Sequence, residues 1–201
     1  MRRCFATFML LCLSALPAAA QRLDAATLAA LRDGGHVIFF RHGETGAQGS
    51  DRAQAVMGDC STQRNLNDAG RRQVQQLGEA FRKLGIPVAR VQSSEFCRCR
   101  EHAQAMFGKD RVEINPALSV PASYPSVSDA DRELNNRQLA RLLGELPAKG
   151  ANTVLVSHGI NILLLTGWHP NTQGEAAVFK PDGRGAYQRV ATVLPDGWLA
   201  P

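Results

Sequence analysis

The stretch at residues 36–45, HVIFFRHGET, decides the fold. Its apolar run is β-branched and aromatic and is bounded by glycines. This pattern predicts a buried strand at residues 36–40, central in a parallel sheet. Arg41 and His42 follow at once, so they stand at the carboxyl end of that strand. A polar loop at residues 43–58 comes next.

Two more predicted strands end in the same way. Residues 88–92 lead into Ser93-Ser94, and residues 153–156 lead into Ser157-His158-Gly159. In open α/β sheets, ligands bind in the crevice at the carboxyl ends of the strands. We therefore expect these three strand ends to meet at one site.

Helical patterns alternate with the strands. Asp24 and Asn67 are favourable N-caps for two of these helices. The alternation predicts one α/β domain, a three-layer sandwich with a mostly parallel central sheet and helices on both faces. Helices are predicted at about 24–34, 67–84, 96–107, 129–146 and 160–166, and further strands at 111–114, 176–180 and 186–194. Four leucines of the fourth helix are predicted to point inward: Leu134, Leu139, Leu142 and Leu143.

The first twenty residues have a different character. They have a positive start at Arg2-Arg3, an uncharged apolar run at 5–16, a break at Pro17 and small residues at 18–20, which is the layout of a secretory signal peptide. We predict cleavage of residues 1–20, which leaves residues 21–201 as a periplasmic or secreted domain. An uncleaved anchor is the alternative, but the apolar run is shorter than the roughly 20 residues that span a bilayer. No stable membrane insertion is expected after cleavage.

The composition is that of a soluble globular protein. Hydrophobic residues make up 44% of the chain and charged residues 20%. The net charge is +5, from 23 basic and 18 acidic residues. It becomes +3, from 21 and 18, once the two arginines of the signal peptide are removed. This mild excess suits an anionic substrate. The scattered lysines and arginines do not form the basic face that nucleic-acid binding requires, so no nucleic-acid partner is expected.

Three cysteines remain after the signal peptide, namely Cys60, Cys97 and Cys99. In an oxidising compartment, one disulfide with one free thiol is expected, and three free buried thiols are the alternative. Cys97 and Cys99 are too close in sequence to pair easily with each other, so Cys60 is expected to pair with one of them. A metal site needs more ligands at regular spacing. We expect neither a metal nor a cofactor.

The strand ends carry the residue types that attack on a phosphate ester requires. These are an uncharged nucleophile, positive charge around the equatorial oxygens, and a proton for the leaving oxygen. His42 is a candidate nucleophile because a neutral imidazole has a free lone pair. Arg41 and Arg98 can bind phosphate bidentately. His158 stands at a helix start where backbone N–H groups point outward, and Gly43 lets a ligand approach the backbone.

Four motifs together resemble those of the histidine phosphatase superfamily, the phosphoglycerate-mutase-like fold. Residues 41–45 (RHGET) look like its signature, and residues 65–73 (NLNDAGRRQ) resemble its segment in the following helix. Residues 93–103 (SSEFCRCREHA) resemble its run of two serines, arginine and acid-Thr-Ala. Residues 156–159 (VSHG) resemble its last motif. One such motif alone is weak, but four in order are specific.

The resemblance implies a role for each matching residue. His42 becomes the phosphorylated nucleophile, and Arg41 and Arg98 clamp the phosphoryl group. His158 hydrogen-bonds that group and helps to hold its negative charge. His102 stands where the family usually has threonine, which we interpret as a packing change.

The proton donor is where this sequence departs from the family. Residues 116–120 lack the family's usual glutamate, and Gly159 stands where the acid-phosphatase branch has aspartate. We predict Glu175, between the last helix and the next strand, as the donor. Glu44 is the alternative, although it can instead orient the loop; with Gly43 it also belongs to the expected substrate-binding set. A third possibility is that a good leaving group or a phosphoramidate needs no strong acid.

The sequence thus predicts an exported, metal-independent phosphatase that hydrolyses a phosphomonoester through a phosphohistidine on His42. A phosphomutase is the alternative enzyme, and a non-catalytic member that binds phosphate-bearing ligands is the alternative of another class. The resemblance and the export signal favour a small phosphorylated substrate such as a sugar phosphate or a lipopolysaccharide-core phosphate. Other small members of the family act on phosphohistidine in proteins. Arg64 and Asn161 could also reach the substrate, although solvation or capping explains them equally well.

Overall fold

A computed structural model describes residues 22–46, 55–119 and 128–199. The predicted signal peptide, residues 1–20, lies outside the described residues, and its cleavage stays a prediction. Residues 47–54 of the predicted polar loop at 43–58 and residues 120–127 also lie outside them.

One six-stranded sheet runs through the domain. Its strands are β1 (Val37–Arg41), β2 (Val88–Ser93), β3 (Val112–Ile114), β4 (Asn152–Ser157), β5 (Ala176–Pro181) and β6 (Tyr187–Val193). Their spatial order is β3-β2-β4-β1-β5-β6. The first four are parallel, whereas β5 is antiparallel to β1, and β6 is antiparallel to β5. The mostly parallel sheet is confirmed, but β1 has only one parallel neighbour.

The helices cover both faces of the sheet. They are α1 (Ala25–Asp33), α2 (Asp68–Leu84), α3 (Cys97–Phe107), α4 (Asp129–Gly144) and α5 (Gly159–Thr166). Side chains alternate between the faces of a strand. Ile38 and Phe40 therefore pack with α1, α2 and α3, while Val37 and Phe39 pack with α4 and α5. The predicted three-layer sandwich is confirmed.

Helix α2 begins and ends as its sequence predicts. Asn67 is the N-cap, and its side-chain oxygen accepts a hydrogen bond from the backbone N–H of Gly70 at 2.6 Å. Gly85 ends the helix in the left-handed conformation, with φ of 66°. The cap matters for the site, because the residues just before it contact the first strand end.

Helix α4 is shorter than predicted and is rotated relative to the prediction. It ends at Gly144, and Leu139 and Leu143 are buried. Leu134 is 47% exposed, so the prediction that it points inward is wrong. Five residues at about 100° each place Leu134 roughly 140° around the helix from Leu139, which is outside the buried face.

Candidate active site

The carboxyl ends of β1, β2 and β4 lie side by side, as the sequence predicts. The backbone N–H of His42 donates to the carbonyl of Ser157 at 2.9 Å, and that of Ser94 donates to the carbonyl of Val156 at 3.0 Å. These bonds continue the parallel ladders beyond the strands. They bring His42 and His158 together, with their ring centroids 5.5 Å apart.

His42 is held as a neutral imidazole. Its side chain is buried, and its Nδ1 lies 2.9 Å from the carbonyl oxygen of Gly43. A carbonyl only accepts, so Nδ1 carries the proton and the lone pair is on Nε2. Burial and the charge of Arg98 hold the pKa of His42 well below its usual range. This is the protonation state that a histidine nucleophile requires.

His158 has the opposite tautomer. Its Nδ1 lies 3.2 Å from Nη2 of Arg98, and a guanidinium only donates, so Nδ1 accepts. The proton is therefore on Nε2, which donates to Oγ of Ser94 at 3.0 Å. Burial, followed by the charge of Arg98, holds the pKa of His158 well below its usual range.

Arginines surround the two histidines. Arg98 is buried, lies over the Phe96 ring at 4.5 Å and donates from Nη1 to the carbonyl of Arg64 at 3.2 Å. Arg41 is half-buried and donates to the carbonyl of Pro170 at 3.0 Å. Burial and the neighbouring charge of Arg64 lower the pKa of Arg41. The result is a concentration of positive charge suited to a phosphoryl group.

Arg64 is a third cation of this site. Its charge contributes to the lowered pKa values of His42, His158 and Arg41. The sequence left its role open between solvation and substrate contact. Its position directly before the motif at residues 65–73 was the available signal.

A disulfide fixes the segment that carries Arg64. Cys60 pairs with Cys97, which confirms one of the two predicted pairings, and the buried Cys99 takes no part in the disulfide. The side-chain oxygen of Gln63 also accepts from the backbone N–H of Cys97 at 2.9 Å. The segment is thereby attached to the start of α3, the helix that carries Arg98.

Gly43 and Glu44 attach the first strand end to α2. A Cβ at Gly43 would lie 2.6 Å from Cγ1 of Val74, so the close approach of α2 explains this glycine better than the approach of a ligand. The carboxylate of Glu44 accepts from the side-chain amide of Asn67 at 2.8 Å. Its backbone N–H donates to the side-chain oxygen of Gln73 at 3.1 Å. These contacts give Glu44 the loop-orienting role.

Glu175 lies beside the first strand end, as expected, but it is enclosed. It is 1% exposed, and its Oε2 accepts from the backbone N–H of Thr172 at 3.0 Å. Its backbone carbonyl accepts from the N–H of Arg41 at 3.0 Å. Its negative charge raises the pKa of Arg41, against the larger effect of burial. The carboxylate is thus engaged with the turn and lies near the guanidinium.

Three polar residues near His158 were not among the predicted site residues. Ser94 Oγ lies 3.2 Å from Ser119 Oγ, which lies 3.4 Å from a carboxylate oxygen of Glu95. The paired serines after β2 pointed to Ser94, but nothing in the sequence places Ser119 against it.

Asn161 is buried and donates to the Leu118 carbonyl at 3.0 Å, which favours a structural role.

Within residues 22–46, 55–119 and 128–199, no three His, Cys, Asp or Glu side chains are grouped as a metal site. None of the helices in the same described ranges has the length and apolarity needed to cross a bilayer. Metal independence stays a prediction from the sequence.

Comparison with known proteins gives a consistent result. The family model of the histidine phosphatase superfamily (branch 1) matches residues 37–119, which contain three of the four motifs. No protein with a curated description matches the sequence significantly. Solved structures share its fold.

Three of these structures illustrate the likeness. The protein histidine phosphatase SixA complexed with tungstate is 18% identical, with a TM-score of 0.55 over 80% of this chain and 97% of that one. A phosphoserine phosphatase from Entamoeba histolytica is 18% identical, with a TM-score of 0.55 over 82% and 99%. The ecdysone phosphate phosphatase from Bombix mori is 15% identical, with a TM-score of 0.54 over 80% and 93%. At these identities the likeness shows a common fold.

Proposed function

The chain belongs to the histidine phosphatase superfamily, and from this we propose that it hydrolyses a phosphomonoester through a phosphohistidine on His42. One observation carries the proposal. Two buried histidines are held in opposite tautomers, and both are neutral in a pocket of arginines. His42 thereby keeps its Nε2 lone pair for attack on phosphorus.

The arginines supply the electrostatic part of catalysis. In the first step, the Nε2 lone pair forms the N–P bond while the P–O ester bond breaks, and its electron pair goes to the leaving oxygen. Arg41, Arg64 and Arg98 hold the equatorial oxygens, where negative charge is concentrated. In the second step, water attacks phosphorus and loses a proton as the N–P electron pair returns to His42, and this proton balances the one that the leaving oxygen takes up.

The enclosed setting of Glu175 argues for a positioning role. Its carboxylate already accepts from the backbone of Thr172, and its charge lies near Arg41. We therefore propose that Glu175 holds Arg41 and the turn in place, and that it does not protonate the leaving group. Glu44 orients the loop through Asn67.

Export and substrate class belong to the same proposal. Cleavage after residue 20 delivers the domain to the periplasm or to the medium, where the Cys60–Cys97 disulfide is stable. The enzyme works without a metal on a small phosphorylated substrate, such as a sugar phosphate or a lipopolysaccharide-core phosphate. The similar structures include enzymes named for phosphoserine and for ecdysone phosphate, which supports a phosphate ester without selecting one.

The test compares His42→Ala with a matched histidine variant. His42→Ala should lose at least about a thousandfold in turnover of an aryl phosphate, because the nucleophile is gone. His36→Gln should keep the activity, since His36 lies at the opposite end of β1 and bonds the Gly34 carbonyl. Activity retained in His42→Ala contradicts the mechanism. Inhibition by EDTA that zinc or magnesium reverses contradicts metal independence.

A panel of phosphorylated sugars, lipids, polyphosphates and phosphopeptides then identifies the substrate class. Turnover of one class well above the aryl phosphate assigns it. Phosphate transfer to a sugar acid instead of water identifies a mutase. Tight binding without turnover across the whole panel identifies a binding protein.

A further inference from the structure

A chain of hydrogen bonds connects the pocket to a carboxylate outside it. It runs from Nε2 of His158 to Ser94 Oγ at 3.0 Å, to Ser119 Oγ at 3.2 Å and to Oε2 of Glu95 at 3.4 Å. We call these four residues the serine relay. Ser94 is buried, Ser119 and Glu95 are partly buried, and the two serines come from different segments of the chain.

Every proton in the serine relay can be assigned a direction. Arg98 donates to Nδ1 of His158, so the ring donates from Nε2 to Ser94. Ser94 Oγ also accepts from the backbone N–H of Phe96 at 3.2 Å, and its own proton is directed to Ser119. Ser119 Oγ accepts from the backbone N–H of Glu95 at 3.0 Å and donates to the Glu95 carboxylate. All hydrogen bonds of the serine relay thus point the same way, with each group donating to the next from His158 to the Glu95 carboxylate.

This polarity leaves the other ring nitrogen of His158 facing the phosphate pocket. Nδ1 lies 3.2 Å from Arg98, the residue that binds the phosphoryl group in the proposed function. Among the described residues, the other titratable groups that face His158 are Arg41, Arg64, His42 and the thiol of Cys99, whose Sγ lies 3.6 Å from Nε2. Glu95 is the carboxylate that hydrogen bonds connect to this ring within the described residues.

We propose that His158 is the proton donor to the leaving oxygen, and that Glu95 is a positioning residue that supports this role through Ser119 and Ser94. The inference rests on the proposed function and fills the place of the acid that the loop at residues 116–120 lacks. It gives His158 chemistry beyond holding the charge of the phosphoryl group. It also explains why a carboxylate outside the pocket is joined to the ring.

The proton enters with the substrate. In the empty pocket, burial and Arg98 hold the pKa of His158 well below its usual range, so the ring is neutral. A dianionic phosphoryl group binds Arg98 and adds two negative charges beside Nδ1, which offsets most of the arginine charge and raises the pKa of His158. Arg98 then donates to the phosphoryl oxygens instead of to Nδ1, and His158 takes a second proton on Nδ1 while Nε2–H remains bonded to the serine relay.

The reaction balances in both steps. When Nε2 of His42 attacks phosphorus, the P–O bond breaks and the leaving oxygen takes the proton from Nδ1 of His158, which becomes neutral. The attacking water then gives a proton to Nδ1 as its oxygen bonds to phosphorus and the N–P bond breaks. The second step therefore restores the imidazolium, and Glu95 stays ionised throughout.

The most direct experiment counts protons on binding of inorganic phosphate. Isothermal titration is run in buffers of different ionisation enthalpy, at a pH where phosphate is the dianion. The wild type should take up about one proton per phosphate bound, whereas Glu95→Gln and Ser119→Ala should take up markedly less. Equal uptake in all three proteins overturns the role of the serine relay. No uptake in the wild type overturns the protonation of His158.

Leaving groups provide the kinetic test. A 4-nitrophenolate leaves without a proton, whereas an alkoxide needs one. Glu95→Gln should lose at least ~10-fold in kcat on an alkyl phosphate and less than ~3-fold on 4-nitrophenyl phosphate. The alkaline limb of its kcat profile should move to lower pH, because loss of the anion destabilises the imidazolium. An equal loss on both substrates indicates a structural role for Glu95 and contradicts the proposal.

Two further variants complete the design. Glu101→Gln removes a carboxylate of α3 that pairs with Arg71 at 2.7 Å, away from the serine relay, and should match the wild type in both assays. Glu175→Gln should raise KM with little change in kcat, because Glu175 positions Arg41. Loss of the alkaline limb in Glu175→Gln instead identifies Glu175 as the donor. If His42→Ala also retains activity, the proposed function fails; if only the Glu95 effects are missing, the proposed function stands and this inference fails.

Discussion

The pocket and the core beneath it each bury histidine, but for different reasons. In the core, His102 is fully buried, packs edge-on against Phe40 at 5.3 Å and lies 3.1 Å from the sulfur of Met106. Burial alone lowers the pKa of His102 to about 3. In the pocket, burial lowers the pKa values of His42 and His158, and the charge of Arg98 lowers them further.

The second cause makes the pocket responsive. A ligand at the pocket does not change the burial of His102, so that ring stays neutral at neutral pH whether or not substrate is bound. A bound phosphate offsets the charge of Arg98, so His158 can change its protonation when substrate arrives, while His42 keeps its free lone pair. The core thus uses histidine as an apolar ring, whereas in the proposed mechanism the pocket uses it as a reactive group. Substitutions in the core should therefore change mainly the stability, and substitutions in the pocket should change mainly the activity.

The largest expected effect is that of Arg98→Ala on activity. Removing the guanidinium takes away phosphate binding and the hydrogen bond to His158, and kcat/KM on an aryl phosphate should fall roughly 10³-fold. The free energy of unfolding should change little, since the cost of a buried cation is removed together with its contacts. Because Arg98 lowers the pKa of His42, an NMR titration should find that pKa nearer to its usual value. Activity within tenfold of the wild type contradicts the role of Arg98.

The next effect is on stability and concerns the disulfide that joins the pocket to α3. Cys60 and Cys97 are 37 residues apart, and closing a loop of that length contributes about 4 kcal/mol in the chain-entropy account. Cys60→Ser with Cys97→Ser should lower the free energy of unfolding in urea by up to that amount and raise KM by loosening the Arg64 segment. Dithiothreitol should reproduce the loss in the wild type and have no effect on the double variant. An unchanged KM contradicts the link between the disulfide and the pocket.

The third effect is the pH dependence that His102 gives to stability. The folded pKa is about 3 and the ordinary value is 6.5, so the unfolded chain binds the extra proton between these values. The stability that depends on neutral His102 is therefore complete above pH 6.5 and is lost as the pH falls toward 3. In His102→Gln, the free energy of unfolding measured in urea should fall by a few kcal/mol less over this pH range, and kcat at neutral pH should be unchanged. His169 is exposed, so His169→Gln should keep the steep loss of stability at low pH. An equally steep loss in His102→Gln contradicts the assignment to His102.

Local sequence patterns predicted the strands of the sheet and the residues at their carboxyl ends well. The apolar runs of β1 and β4 and the cap at Asn67 are encoded in adjacent residues, so they could be inferred directly. The antiparallel β5 could not, because it depends on where the chain returns after α5. That return is at Glu175, beside Arg41, and β5 therefore starts at the carboxyl end of β1 and runs the opposite way.

The remainder of the site depends on contacts between distant segments. Cys97 and Cys99 lie about 200° apart on α3, so only one can face Cys60, and the position of the Cys60 segment decides which. The serine relay likewise requires Ser119 to lie against Ser94, 25 residues earlier in the chain. The spacing of residues in the sequence does not show which distant segments come into contact, whereas the motif at residues 41–45 can be recognised from adjacent residues alone.

Trapping the phosphoenzyme tests the nucleophile most directly. The protein is mixed with an aryl phosphate carrying ³²P, denatured in alkali within the turnover time, digested and mapped by mass spectrometry. The label should be stable in alkali, lost in acid and confined to the peptide that contains His42, and His42→Ala should carry none. An acid-stable label, a label on another residue, or full turnover with no labelled protein at any time contradicts phosphohistidine catalysis on His42.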